Sequence, residues 1–380
     1  MDPRFSDFIQ NWINHGYLKH GGMAFRVPVN QKPDQRVWRS TTLFHLQLGH
    51  VLERMYIAYS GKFSYKLLAI HNQIITMFSS CLLGFLAMRL TFKVGVPFKQ
   101  AVILGLSSQT VYQTFPFNLN YFWGTTPHVS VPIFLLLFLI LEEGTFCLKE
   151  SAKKNITRGV LIIFFVVNSP AEAFLLLFCY YFVKIITCCD ALDLWKNILV
   201  NIYSFFVGIG LIVFQLSWVR SSYPEIKFFG TTLVPSTGFD GRLIDYYDHM
   251  DLLGNRYLLN LPGWHVLLCS GILAIIAVIT IIQREDKSLN QQTVLLSLIC
   301  LYIPYAFLLS RYTVIHIYLF DNYLAIPIIL ALFSFLPAWL DIKIIRLKHM
   351  FVILSGALAF GTAGLQILAY WLQIPPLWSV

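Results

Sequence analysis

Two carboxylates, two imidazoles and several cations stand among aromatics at the start of this chain, in MDPRFSDFIQNWINHGYLKHGGMAFR. A carboxylate beside a reacting hydroxyl takes up its proton, a contribution of about 10²–10⁴ in rate, so Asp2 and Asp7 are candidate bases. Phe5, Ile9, Trp12 and Ile13 recur at helical spacing. That spacing predicts a short amphipathic helix over 5–14, lying at an interface and ending near Gly16. Under the blander account Asp2 caps this helix, and His15 and His20 belong to a wet loop. A second cluster lies in GFDGRLIDYYDHMDLLGNRY, where Asp245, Asp248, His249 and Leu252 share a helical face between Arg242 and Arg256. Arginine suits phosphate because its donor fork is planar and permanently charged; a solvated lid helix with internal ion pairs explains the same residues. A third, RYTVIHIYLFDNYLAIPIILAL, gathers Arg311, His316, Tyr318, Asp321, Asn322 and Tyr323. Ionisable groups at the mouth of an apolar run are costly against lipid and are expected to face a protein cavity, which Glu172 and His128 can join. Anchoring in an aromatic belt explains the tyrosines equally well, but not His316 beside Asp321.

The elements that must position these groups are mostly apolar. The chain of 380 residues is 57% hydrophobic and 12% charged, against the roughly 25% charge of a soluble domain. Apolar runs at 67–90, 101–118, 127–147, 159–169, 171–187, 197–219, 264–283, 292–310, 319–339 and 350–372 predict an all-α polytopic membrane bundle of about ten transmembrane helices. Asn168-Ser169-Pro170 is expected to divide the fourth run from the fifth, because proline lacks a ladder donor and strains the preceding turn. Residues 1–65 form an outer loop with amphipathic helices. Residues 66–380 form the transmembrane domain, which includes a second outer loop at 220–262.

Orientation follows from the short connections. One set carries fourteen Lys and Arg, among them Arg89, Lys93, Lys99, Lys153, Lys154, Arg158 and Lys196, whereas the alternate set carries Arg311 alone. The first set is assigned to the cytoplasm, which leaves the Asn155-Ile156-Thr157 sequon unused. The basic residues of 1–65 run against this assignment but lie in a long loop, where charge is a weak determinant. An outer position for residues 1–65 requires an upstream transmembrane segment, and the expectation is that one is missing before Met1. The net charge of +9 is scattered between apolar runs and argues against nucleic acid as a partner. The seven cysteines lie in or beside those runs without the spacing of a metal site, so no metal is expected.

Neither a glycine-rich phosphate loop nor the HExxH or GxSxG signature occurs. With these residues in view, the chain resembles the GT-C superfamily of polytopic glycosyltransferases, in particular the protein mannosyltransferase and aminoarabinose transferase branch. Asp2, Phe5, Trp12 and Gly16 match the order of that family's first outer loop, with Met1 where a first acidic residue would stand; His316, Tyr318, Tyr323 and Pro327 are similar to its late helix. The resemblance implies transfer of a sugar from a polyprenyl-phosphate donor to an acceptor hydroxyl at the outer membrane face, without a cofactor. It implies Asp2 as base with Asp7 as substitute. Arg242, Arg256 and His316 would hold the donor phosphate, and His15, His20, Asp248, His249, Tyr318, Asp321, Asn322 and Tyr323 would line the cavity. The implied partners are membrane lipid, the donor and an acceptor of unknown kind, and the implied location is the bacterial cytoplasmic membrane rather than the endoplasmic reticulum. The competing readings are a transporter, a non-catalytic membrane scaffold and, as a minor branch, an O-antigen ligase or polymerase.

Overall fold

The computed structural model describes residues 4–18, 44–93, 96–114, 130–143, 152–187, 191–222, 325–330 and 333–334. Every regular element among the described residues is a helix: α1 (Arg4–His15), α2 (Phe44–Ser60), α3 (Tyr65–Lys93), α4 (Phe98–Thr114), α5 (Val131–Glu143), α6 (Ala152–Asn168), α7 (Pro170–Thr187), α8 (Ala191–Ser222) and α9 (Ala325–Leu330). The apolar runs expected between 67 and 219 coincide with α3 to α8 over their described residues. Those at 264–283, 292–310 and 350–372 lie outside the described residues, as does the loop at 220–262 beyond Ser222.

Among the described residues, two stretches, Lys66–Lys93 and Trp195–Trp218, are long and apolar enough to cross a membrane. Helix α5 is apolar around most of its circumference and is correspondingly buried on several faces, packed between α3 and α6. The outer helices show the reverse. Phe174, Phe178 and Phe182 stack at successive turns on the exposed side of α7, and Leu199, Ile202, Phe206, Val213 and Phe214 remain exposed on α8. An exterior this apolar is a surface for lipid or for another protein, not for water.

Local chemistry explains where the helices stop. The Ser64 hydroxyl accepts the Leu67 N–H at 3.2 Å and so caps α3. The Ser64 N–H itself donates to the buried Glu53 carboxylate of α2 at 3.0 Å. Between α6 and α7 only Ser169 is non-helical. It receives the Ala173 N–H at its carbonyl (3.0 Å), its side chain meets Glu172, and Pro170 occupies the first helical position. Ser169 and Glu172 thus meet side chain to side chain at the start of α7, and Pro170 stands where a missing N–H costs nothing.

That break reverses the chain. Arg158 of α6 and Tyr180 of α7 both reach the carboxylate of Glu142, Tyr180 at 2.8 Å. On one continuous helix, residues 22 positions apart would be separated by about 33 Å. The two-helix expectation therefore holds, and α6 and α7 are an antiparallel hairpin. The ion pair of Lys93 with Glu143 and that of Arg158 with Glu142 join one set of helix ends. Ser130 donates to Asn168 at 3.0 Å at the other. Chain direction alternates from α3 through α8.

Helices α3 and α4 approach closely at Gly84 and Gly105. A Cβ on Gly105 would lie 2.7 Å from the Gly84 carbonyl oxygen, and one on Gly84 would lie 2.8 Å from that of Gly105. The obstructing atoms are backbone, so a side chain cannot give way. Gly105→Ala is expected to destabilise the bundle by about 1–3 kcal/mol, the usual range for overpacking. The thermal midpoint of the detergent-purified variant checks this, and an unchanged midpoint would show that the two helices are not so closely packed. Small residues at the α6–α8 contact act alike, since Gly208 faces Val166 at 2.8 Å and Gly159 faces Ser204 at 2.9 Å on the same measure.

Candidate functional site

Helix α1 forms where periodicity places it and ends at Gly16. That residue adopts φ 92° and returns its N–H to the Trp12 carbonyl at 3.0 Å. Only glycine takes this left-handed position without strain, which is why the helix stops there. Its apolar face is filled by protein, a change from the interfacial lipid contact expected of it. Ile9 and Trp12 are buried against Leu68 of α3, with Ile13, Tyr17 and Phe63 around them. Burying a side chain such as Ile9 contributes roughly 1.5–3 kcal/mol. Gly49 of α2 permits the approach, since a Cβ there would stand 3.0 Å from Ile9 Cδ1 and 3.2 Å from Leu68 Cδ2. At 100° per residue, position 7 falls on the face of α1 opposite Ile9 and Trp12. The segment bearing Asp7 is thus held by residues other than Asp7. His15 ends the same helix and is half-buried.

A ring cluster completes the junction. Tyr17 and His50 stack with centroids 5.2 Å apart and planes at 15°, and Trp12 meets both edge-on, at 5.4 Å and 5.6 Å. Partial burial lowers the His50 pKa below its ordinary 6.5, helped by the Arg54 charge one turn on. Burial raises the Tyr17 pKa, opposed by a hydrogen bond with Gln47, and it raises that of Glu53, opposed by the Ser64 N–H. The His50 shift makes the docking of α1 pH-dependent. Above pH 6.5 His50 is neutral whether α1 is docked or free; as pH falls below 6.5 the free state takes the proton first, and the docked state loses ground until its own lower pKa is passed. Hydrogen exchange of residues 9–17 is therefore expected to speed up between pH 7.5 and 5.5 beyond the intrinsic rate change. The excess should vanish in His50→Phe, and its persistence there would assign the effect to another group.

Asp2, His20, Arg242, Asp248, His249, Arg256, His316, Tyr318, Asp321, Asn322 and Tyr323 all lie outside the described residues. The structure brings two of the expected residues, Asp7 and His15, onto one docked helix. On the docked side of that helix stand Tyr17, Gln47, His50 and the buried His71. No spacing in the sequence joins Tyr17 to His50.

The densest charge among the described residues lies at the opposite end. Glu142 and Arg158 are 1% and 0% exposed and directly paired. Arg158 Nη1 donates to Asn155 at 2.8 Å and to Asn197 of α8 at 3.4 Å, and Tyr180 donates to the second Glu142 oxygen at 2.8 Å. Glu143 binds Arg89 at 2.8 Å and also Lys93, both from α3. Each oxygen of the two carboxylates meets a cation or a hydroxyl, so the pair ties α3, α6 and α7 to the end of α5. The legible signal was Glu142-Glu143 itself: two acids closing an apolar run must find cations. Arg89, Lys93 and Arg158, first read as topological charges, supply them. Set against known protein families, curated proteins and solved structures, the chain matches none.

Proposed function

We propose that this protein is an integral membrane glycosyltransferase, taking a sugar from a polyprenyl-phosphate donor to an acceptor hydroxyl at the outer face. The observation that carries the reading is α1: an amphipathic helix, docked by Ile9 and Trp12 and stopped by Gly16, that carries Asp7 at a helical position opposite those docked residues. This is the segment whose residue order resembles the first outer loop of GT-C enzymes. A donor carried by lipid needs no nucleotide-binding domain, and the apolar exterior of α7 and α8 suits a protein that meets its donor from within the bilayer. In this reading Asp2 before the helix, or Asp7 as its substitute on the helix, accepts the acceptor's proton. Arg242, Arg256 and His316 stabilise the departing phosphate, where fixed donors in a partly dry site act most strongly.

The test is to incubate full-length protein in vesicles with radiolabelled polyprenyl-phosphate sugars and lipid or peptide acceptors, and to follow label leaving the donor. No turnover with any donor, from protein whose α1 exchanges slowly, would sink the reading. A transporter is the second reading, drawn from the buried charges between α5, α6 and α7. A transport site must release its ligand, and such a site is expected near the midplane with discontinuous helices. The tight pairing of Glu142 and Glu143 with groups from three other helices therefore favours a structural clasp over that reading.

A further inference from the structure

Helix α2 carries two unlike faces. One, with Gly49 and the fully buried Glu53, lies against α1 and the cap of α3. The other bears Leu48, Val51, Leu52, Met55 and Tyr59, which recur every three or four residues and so form a single stripe. The stripe is open: Val51 is 54%, Met55 67% and Tyr59 89% exposed. The charged residues exposed between 47 and 66 are Arg54, Lys62 and Lys66, while the one acid there, Glu53, is buried. Beyond the turn at Gly61 the stripe is continued by Ile70, Ile74, Met77 and Phe78, exposed on a helix long and apolar enough to cross a membrane.

We infer that α2 lies in the membrane interface, its stripe among the acyl chains nearest the headgroups, and that it binds anionic phospholipid in preference to zwitterionic lipid. The inference rests on reading α3 as a span. Apolar residues on one side, with cations and no acid beside them, are the pattern of a helix that partitions into an anionic surface. Arg54, Lys62 and Lys66 have stems long enough to lie along that surface with their charges at phosphate level. Tyr59 brings an aromatic body with a polar tip, suited to the same depth. A second copy of the chain fits poorly. A two-fold contact sets the same patch against itself, which would bring Arg54 and Lys62 toward their own counterparts with no exposed acid between them.

The test places the photo-reactive residue p-benzoylphenylalanine at Met55, at Tyr59 and, separately, at Ile74 in the full-length protein. Each variant is reconstituted in mixed phosphatidylethanolamine–phosphatidylglycerol vesicles and in phosphatidylcholine vesicles, irradiated, and its adducts are weighed by mass spectrometry. Lipid adducts are expected at all three positions. At 55 and 59 phosphatidylglycerol should exceed its share of the mixed vesicle, and Lys62→Gln should lower that excess about fivefold. Covalent dimers, or crosslinks from 55 or 59 to other parts of the chain, would show that protein covers the stripe and overturn the proposal. Adducts that follow vesicle composition would overturn the preference for anionic lipid. Lipid adducts at 74 without any at 55 or 59 would overturn the placement of α2 while leaving α3 in the bilayer; none at all three would remove the membrane reading on which it rests.

Discussion

Arg158→Met is expected to cost about 3–5 kcal/mol, enough to abolish or nearly abolish the folded protein, because it leaves a buried carboxylate without its cation. Glu142 is 1% exposed and shares its oxygens between Arg158 and Tyr180. Removing the guanidinium leaves one neutral hydroxyl to hold a charge that this buried site cannot otherwise solvate. Asn155 and Asn197 lose their donor in the same step. The double variant Glu142→Gln with Arg158→Met removes both charges and should recover most of the loss, since an apolar or neutral pair of similar size often replaces a buried ion pair at little cost. The yield of monodisperse protein in detergent and its thermal midpoint read this out as a double-mutant cycle. If the single and double variants fall equally, the charge pair is not what holds α5, α6 and α7 together.

Asp7→Asn is expected to lower the turnover of sugar transfer by about 10²–10⁴-fold, the usual contribution of a positioned base. Asparagine keeps the shape and loses the basicity, and position 7 lies opposite the face docked through Ile9 and Trp12, so α1 should stay in place. Slow hydrogen exchange over residues 9–17 in the variant would confirm that docking survives. A fall in turnover at unchanged KM, with α1 docked, is the expected signature of a lost base. The matching variant Asp2→Asn separates the two acids: if it alone abolishes transfer and Asp7→Asn does not, the base is Asp2. Unchanged transfer in both would move the role elsewhere.

Much of the local structure was legible because it depends on neighbours in the chain. The period of Phe5, Ile9, Trp12 and Ile13 and the glycine at 16 predict α1 to within a residue or two of Arg4–His15. Ser169-Pro170 predicts the end of α6, where a capping serine and a first-turn proline favour a fresh helix over a continued one. Alternation of Lys and Arg between successive connections predicts which helix ends share a side, and the pairing of Lys93 with Glu143 and of Arg158 with Glu142 places those ends together.

The contacts that give these helices their partners were not legible. Nothing in the run around Gly49 says that Ile9 and Leu68 will close on it, or that Tyr17 will stack on His50 some thirty residues away. The amphipathic pattern of α1 shows that one face avoids water and is silent on whether lipid or protein covers it. Likewise, composition alone could mark Glu142 and Arg158 as charges in or beside apolar runs, but only the α6–α7 reversal sets Arg158 and Tyr180 on the same carboxylate. Hydrophobic period, caps and loop charge act within a few residues and were determined by the sequence directly. Which buried face meets which, and which cation answers which acid, depends on the close packing of helices distant in the chain, and the tertiary structure alone decided it.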